Sequence, residues 1–312
     1  MTSIRNSQQN ESACIDFQEK WLRTYYDEIG APTVFVADRM WHSTGSKTFI
    51  PLPCNAPMTV SQQEKNLLWK SGAIFLKYPV ESGSYGYPSY LYLVSDKQYD
   101  LDTLARHVRK ETERALRKCN VEQIPVKDIL SVAPSIISDT YSRQDRQFSD
   151  SILREWMNNI EAAAHNPLFE CWAVYVGNQV GAFRIDFTYR GGFYGDVLFN
   201  VKELLKYQVM NALMFVSTRE VIKRPHIDHV SYGIRSIFGD KPTLNKFKES
   251  MGYQKIPLSE RIDISSRYSA LITPGMVRIG LRLLERISPR YHKFQKLEAI
   301  LGMYAQQRAG DI

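Results

Sequence analysis

Asp186 and Asp196 fall on adjacent stretches that read as neighbouring strands. From there a carboxylate can accept a proton from an attacking group, directly or through a water. The other readings of the pair are solvated strand ends or ion pairs with Arg184 and Arg190. Tyr232, on a later strand, carries a phenol able to protonate a leaving thiolate or hydroxyl, although strand tyrosines also serve simply to pack. Arg143 and Gln144 end a predicted helix, where they can bind a carboxylate or phosphate through paired hydrogen bonds or finish the helix structurally. His226 and His229 straddle Asp228. The H-x-x-H pattern is too small a set for a metal site, so one imidazole acts as a base or both lie at the surface after Pro225. Cys14, Cys54, Cys119 and Cys171 include no C-x-x-C pair and have no histidine at ligand spacing. This argues against a zinc site and a disulfide framework and predicts reduced, buried thiols. The sequence shows no G-x-S-x-G elbow and no Cys/His pair for a covalent nucleophile.

The elements that would hold these groups are clearest over Ile227 to Pro257, which reads as strand, helix, strand. Asp228 to Tyr232 alternates polar and apolar residues as a half-buried strand does, with Gly233 and Gly239 where turns need positive φ. Leu244, Phe247 and Met251 recur at spacings of three and four and should pack one helix face, with Lys248 at its flank. Gly252 closes that helix in a left-handed conformation. Upstream, Phe169 to Val176, Val180 to Tyr189 and Phe193 to Phe199 read as three strands joined by Gly177-Asn178 and Arg190-Gly191-Gly192, and therefore as an antiparallel meander. Asn200 and Glu203 look like an N-cap and its capping-box partner for a helix running to about Lys223, which Pro225 stops. Two helices are predicted before the meander, at about Val126 to Tyr141 and Asp150 to Ala164.

In the first half, Met1 to Ser12 is polar and predicted to be a disordered tail. A helix from about Ile15 to Gly30 follows, then strands at Thr33 to Ala37, Ala73 to Tyr78 and Tyr90 to Val94, with a helix at Gln62 to Lys70. A long helix follows Asp100 and feeds a strand at Val121 to Val126. After Ile264, Val277, Leu281 and Leu284 mark one amphipathic helix starting near Pro274. Phe294, Leu297, Leu301 and Tyr304 mark another beyond Ser288-Pro289, and together they form a hairpin that caps the domain, makes a dimer contact or rests on a membrane surface. The implied divisions are a tail at 1–12, an α/β domain at 13–125, a second domain at 126–264 and the hairpin at 265–312.

The chain has 312 residues, of which 44% are hydrophobic and 23% charged. That composition belongs to a folded globular protein. No apolar run reaches the roughly 18 residues that span a bilayer, and no signal-peptide core follows Arg5, which predicts a cytoplasmic protein. The net charge of +7 favours anionic partners. Arg106, Arg109, Lys110, Arg114, Arg117 and Lys118 crowd one predicted helix, offset in part by Glu111 and Glu113, and Arg278, Arg282 and Arg286 recur on another.

Two strings point further. Leu244 to Tyr253, Leu-Asn-Lys-Phe-Lys-Glu-Ser-Met-Gly-Tyr, resembles the L-x-x-F-K-x-x-x-G-F ending of the GNAT acyltransferase fold in its Fem-type, FemAB-like members. Asp139 to Gln144, Asp-Thr-Tyr-Ser-Arg-Gln, is similar to a segment that opens the same domain. The resemblance covers residues 126 to 260. It implies an α+β fold with a mixed, mostly antiparallel sheet flanked by helices, in tandem, the first half being a reduced copy of the second. It also implies N-acyl transfer by direct attack of an amine on an acyl thioester of the acyl-CoA type. The alternatives are an aminoacyl-tRNA donor, as Fem-type enzymes use, or an inactive binding scaffold. On this reading two splayed strands, Phe193 to Phe199 and His226 to Tyr232, hold the donor carbonyl. Lys248 takes the place of an active-site lysine beside Phe247, and Tyr232, Asp196 and Asp186 supply proton transfer. Asn200, Lys202 and Lys206, with Arg143, Gln144 and Phe247, would bind the substrate or the donor, the two lysines near its phosphates. The glycine-rich loop of the acetyl-CoA users is missing at Asn200 to Leu205.

Overall fold

The computed structural model describes residues 2–45, 47–144, 148–236, 241–269 and 292–309. In chain order the larger elements are α1 (Thr2–Glu28), β1 (Thr33–Val36), β2 (Arg39–Ser43), β3 (Thr48–Leu52), α2 (Gln62–Lys70), β4 (Phe75–Val80), β5 (Tyr87–Val94), α3 (Arg106–Leu116), β6 (Asn120–Ile124), α4 (Ala133–Arg143) and α5 (Asp150–Ala164). They continue with β7 (Phe169–Val176), β8 (Gln179–Tyr189), β9 (Gly192–Asn200), α6 (Val209–Ile222), β10 (His229–Ile234), α7 (Pro242–Ser250) and β11 (Gln254–Ile264). A last helix covers His292–Ala309.

Two compact units are built from interleaved segments: 1–29, 92–233 and 243–254 form the first, and 30–91, 234–242 and 255–312 the second. In this division α1 and α3 both belong to the unit that carries the meander.

In the first unit β6, β7, β8 and β9 are antiparallel neighbours in that order, and β10 joins β9 in parallel. One face of this sheet is covered by α6, ten of whose residues are buried. Arg184 reaches Ser217 of α6 across that face. On the other face Trp156 of α5 and Tyr141 of α4 meet Phe199 of β9, with ring centroids 5.1 and 6.5 Å apart. Tyr25 of α1 lies against Phe169 at 4.4 Å. Alternate residues of a strand serve alternate faces, so the meander reads as almost continuously apolar.

The second unit orders its strands β1-β2-β3-β4-β11-β5 and packs Trp41, Phe49, Leu68, Leu76 and Tyr78 into one cluster. A separate cluster joins Phe75 and Ile262 to Ile300, Met303 and Tyr304 of the C-terminal helix. That helix therefore caps its own unit. The preceding helix predicted from Pro274 to Leu284 lies outside the described residues, as does Gly239.

Several local expectations are corrected. Helix α1 begins at Thr2, not near Ile15; no proline or glycine between Thr2 and Glu28 interrupts a helix whose later turns are docked, and the backbone of the polar segment continues it. The helix expected after Asp100 is a 3-10 turn at Leu101–Thr103 followed by α3, because Leu104 and Ala105 are extended. The one expected over Val126 to Tyr141 breaks before α4, whose second residue is Pro134, a residue that disfavours helical backbone before it. Strands β2 and β3 were not expected. The capping box at Asn200 and Glu203 does not form: β9 runs to Asn200, a 3-10 turn covers Lys202–Tyr207, and α6 starts after Gln208, at φ +58°. Gly252 behaves as expected, at φ +82°, with the Tyr253 N–H donating to the Lys248 carbonyl.

Candidate active site

Strands β9 and β10 pair through His229–Gly192, Val230–Phe193 and Ser231–Tyr194, and no further. Beyond that point β9 continues for six residues and its next two, Gly195 and Asp196, are exposed. A bulge against β8 lies here as well: Ile185 faces Val197 and Asp186 faces Gly195, leaving Asp196 as the extra residue. Bulges re-aim side chains and end pairing. The two strands expected to part do so, and the parting leaves backbone groups of β9 open beside Tyr232, the first β10 residue past the last pair.

Lys248 enters from α7. It is the one buried residue of that helix, 6% exposed, so the expected flank is turned inward; of the expected face, Leu244 is 39% exposed while Met251, just past the helix, is buried. Its Nζ lies 4.2 Å from the centre of the Tyr232 ring and 4.9 Å from that of Tyr92. Aromatic faces accept an ammonium where an aliphatic wall would not. Burial still lowers its pKa, to about 8, leaving it mostly charged at neutral pH. Tyr92 is held in turn by donating to Glu249 Oε1 at 2.8 Å. Tyr232 packs edge-on to Tyr253 at 5.5 Å, and the Tyr253 hydroxyl shares a 2.6 Å hydrogen bond with Thr218 of α6.

Under the parting lie Arg184 and Asp186, both buried. Arg184 Nε donates to both Asp186 oxygens, at 3.0 and 2.7 Å, and a second guanidinium nitrogen reaches Ser217 Oγ at 3.2 Å. Burial, only partly offset by the guanidinium, pushes the Asp186 carboxyl up to about 6. A Cβ on Gly195 would sit 3.3 Å from Asp186 Oδ1 and 3.9 Å from the Ser231 carbonyl oxygen. Glycine therefore keeps the carboxylate and the parting in close approach.

Asp196 faces the other side of the sheet, where Tyr25 of α1 donates to its Oδ2 at 2.8 Å. It is accessible yet crowded by protein, which lifts its carboxyl above the usual range, while the Tyr25 bond opposes the lift. Asp186 of β8 and Asp196 of β9 thus meet at the bulge between the two strands but serve opposite faces, the former committed to Arg184.

The expected phosphate-binding group is not assembled as a cradle. The Asn200 N–H donates to Thr140 Oγ1 at 3.2 Å, the Val201 N–H to the Gly181 carbonyl at 2.8 Å and the Lys202 N–H to Asp139 Oδ2 at 2.6 Å. The amides that could have cradled an anion are occupied, and one faces a carboxylate. Arg143 is exposed and donates to Asn200 Oδ1 at 2.9 Å, so it holds the end of β9, and Gln144 is exposed. Lys202 and Lys206 are exposed, the latter with Nζ 5.2 Å from the Tyr207 ring centre. Phe247 is half-buried. His226 and Asp228 are exposed and His229 packs against Tyr194. Among the described residues no set of His, Cys, Asp or Glu could hold a metal. All four thiols are free; Cys119 and Cys171 are buried, but Cys14 is exposed and Cys54 half-buried, which corrects the expectation of burial for those two. Tyr92 and Tyr25 were missed in the sequence. They lie on elements more than a hundred residues from Lys248 and Asp196, and no local spacing signals them.

A meander, a long helix, and a parallel strand that leaves its neighbour after three pairs make this an α+β fold with a mixed sheet flanked by helices. Solved structures that share it include FemX, with a TM-score of 0.57 at 10% identity over 80% of this chain and 93% of that one. Another is the C-terminal domain (DUF2156) of a putative lysylphosphatidylglycerol synthetase from Agrobacterium fabrum, with a TM-score of 0.55 at 11% identity over 84% of this chain and 95% of that one. The resemblance noted in the sequence is borne out at the level of fold. No protein-family model matches the chain, and no curated protein matches it in sequence.

Proposed function

We propose that the first unit transfers an acyl group from an activated donor to an amine by direct attack. The observation that carries this reading is the parting of β9 and β10 beside a buried, mostly protonated Lys248. A donor carbonyl lying along the open edge of β9 can accept its backbone N–H groups. As the amine attacks, the C–N bond forms while the carbonyl oxygen gains charge, which the Lys248 ammonium stabilises in a site of low polarity. Asp196 accepts the amine's proton, either directly or through water. Collapse of the tetrahedral adduct expels the donor's leaving oxygen or sulfur, and Tyr232 returns a proton to it.

An aminoacyl ester of RNA is favoured over acyl-CoA as donor. The occupied Asn200, Val201 and Lys202 amides and the Asp139 carboxylate at the start of the 3-10 turn disfavour a pyrophosphate there, as a CoA thioester would bring. Helix α3 of the same unit and the turn after it expose Arg106, Lys110, Arg114, Arg117 and Lys118, and Lys118 and Lys206 lie near the Tyr207 ring at 5.8 and 5.2 Å. That is a surface suited to phosphates and a stacked base. The names of the two structural neighbours, a Fem protein and a lysyl-lipid synthetase, fit the same class. The deciding experiment measures binding of aminoacyl-tRNA and of acyl-CoA across a salt series. RNA affinity that falls steeply with salt, together with loss of transfer in Lys248→Ala, supports the reading. Binding of neither donor, or unchanged transfer in a folded Lys248→Ala, points to a scaffold.

A further inference from the structure

The second unit contains a cleft of about 370 Å³ lined in part by Arg39, Arg261, Tyr85, Met58 and Val60. Nothing in the acyl-transfer chemistry uses it. Its size falls in the range of small-molecule sites, and it joins an apolar floor to a few directed polar groups, as such sites do. Met58 and Val60 are 8% and 7% exposed and so form a firm base.

Two guanidinium groups face this floor with donors to spare. Arg261 is placed by Asp263, which accepts from its Nε at 3.1 Å, and by the Tyr85 ring, 5.2 Å from its central carbon. Its terminal nitrogens have no hydrogen-bond partner among the described residues. Asp263 is itself held by Lys65 at 2.6 Å and by the Tyr78 hydroxyl at 2.6 Å. This network fixes the Arg261 fork before any ligand arrives. Arg39 is half-buried and makes no hydrogen bond or ion pair among the described residues. Half-buried planar cations with free forks are suited to a carboxylate or phosphate oxygen pair. Glu81 also lines the cleft and is exposed, so its charge opposes a ligand carrying two or more negative charges.

We propose that this cleft binds a small monocarboxylate, its carboxylate held by Arg39 and Arg261 and its apolar or aromatic body resting on Met58 and Val60. This site is independent of the acyl-transfer reading, whose failure would leave it standing. The test titrates the full chain with phenylacetate, phenylacetamide and phenyl phosphate, followed by ligand-observed NMR. Phenylacetate should bind at least about tenfold more tightly than the uncharged amide and more tightly than the dianionic phosphate, as charge-assisted pairing requires. Arg39→Gln and Arg261→Gln should each weaken phenylacetate about tenfold. Arg39 makes no hydrogen bond or ion pair among the described residues, so its variant keeps the test valid even if Arg261→Gln disturbs the Asp263 network. Equal binding of acid and amide, preference for the phosphate, or unchanged phenylacetate affinity in a folded Arg39→Gln would overturn the proposal.

Discussion

Replacing Lys248 by methionine keeps length and volume while removing a charge buried to 6% exposure. A fall from the ordinary lysine value to about 8 corresponds to roughly 3 kcal/mol at about 1.4 kcal/mol per unit. The rings of Tyr232 and Tyr92, at 4.2 and 4.9 Å, return about 0.5–1 kcal/mol each. Lys248→Met should therefore stabilise the fold by roughly 1–2 kcal/mol at pH 7, even as it abolishes transfer. The sign with pH follows from linkage. Between about pH 8 and the unperturbed lysine pKa of about 10.4, the unfolded chain holds the proton and the native chain does not. Wild-type stability rises with pH across that window, and the advantage of methionine shrinks to little by its upper end. Urea unfolding of both proteins at pH 7, 8.5 and 10 measures this directly. A methionine variant less stable than wild type at pH 7, or a difference independent of pH, would show that the ammonium supports the fold and is not held there at a cost for chemistry.

Other outcomes follow from the same geometry. Tyr25→Phe removes the donor to Asp196 and should raise the acid limb of the pH–rate profile by roughly one unit, since a bond to a charged group is worth about 1.5–3 kcal/mol. An unmoved limb would take Asp196 out of the proton path. Asp186→Ala leaves Arg184 buried and unpaired and should cost about 3–5 kcal/mol in urea unfolding; a loss under about 1 kcal/mol would mean that water replaces the carboxylate there. Gly195→Ala places a methyl 3.3 Å from Asp186 Oδ1 at the parting of the strands. Transfer should fall about tenfold with less than roughly 1 kcal/mol lost in stability, and unchanged kcat/KM would place the donor elsewhere.

Legibility in the sequence tracked how local the forces are. Helices α2 and α5 are read from the sequence with their ends intact, because serines at their starts, Ser61 and Ser149, accept hydrogen bonds from their own first turns. The meander is legible because its turns carry glycine and its strands carry aromatic and branched residues. Asn200 misleads: its side chain has the chemistry of a cap, but Thr140 and Arg143, some 60 residues away, take its hydrogen bonds. Strands β2 and β3 escape notice because Met40, Trp41 and His42 are buried in succession, without alternation, and Pro51 and Pro53 argue against a strand. At the site, the motif around Phe247 identifies Lys248, yet helical spacing misassigns its face. A lysine turned inward is explained only by tyrosines contributed from β5 and β10.

The interleaving of the two units bears on how the molecule comes into being. Passage between units occurs at 29/30, 91/92, 233/234, 242/243 and 254/255. As synthesis proceeds from the N-terminus, the first helix emerges well before its partners on β8 and β9, and neither assembly has all its parts until residue 254 has left the ribosome. No single cut separates the two units, so truncation cannot deliver either one free of segments of the other.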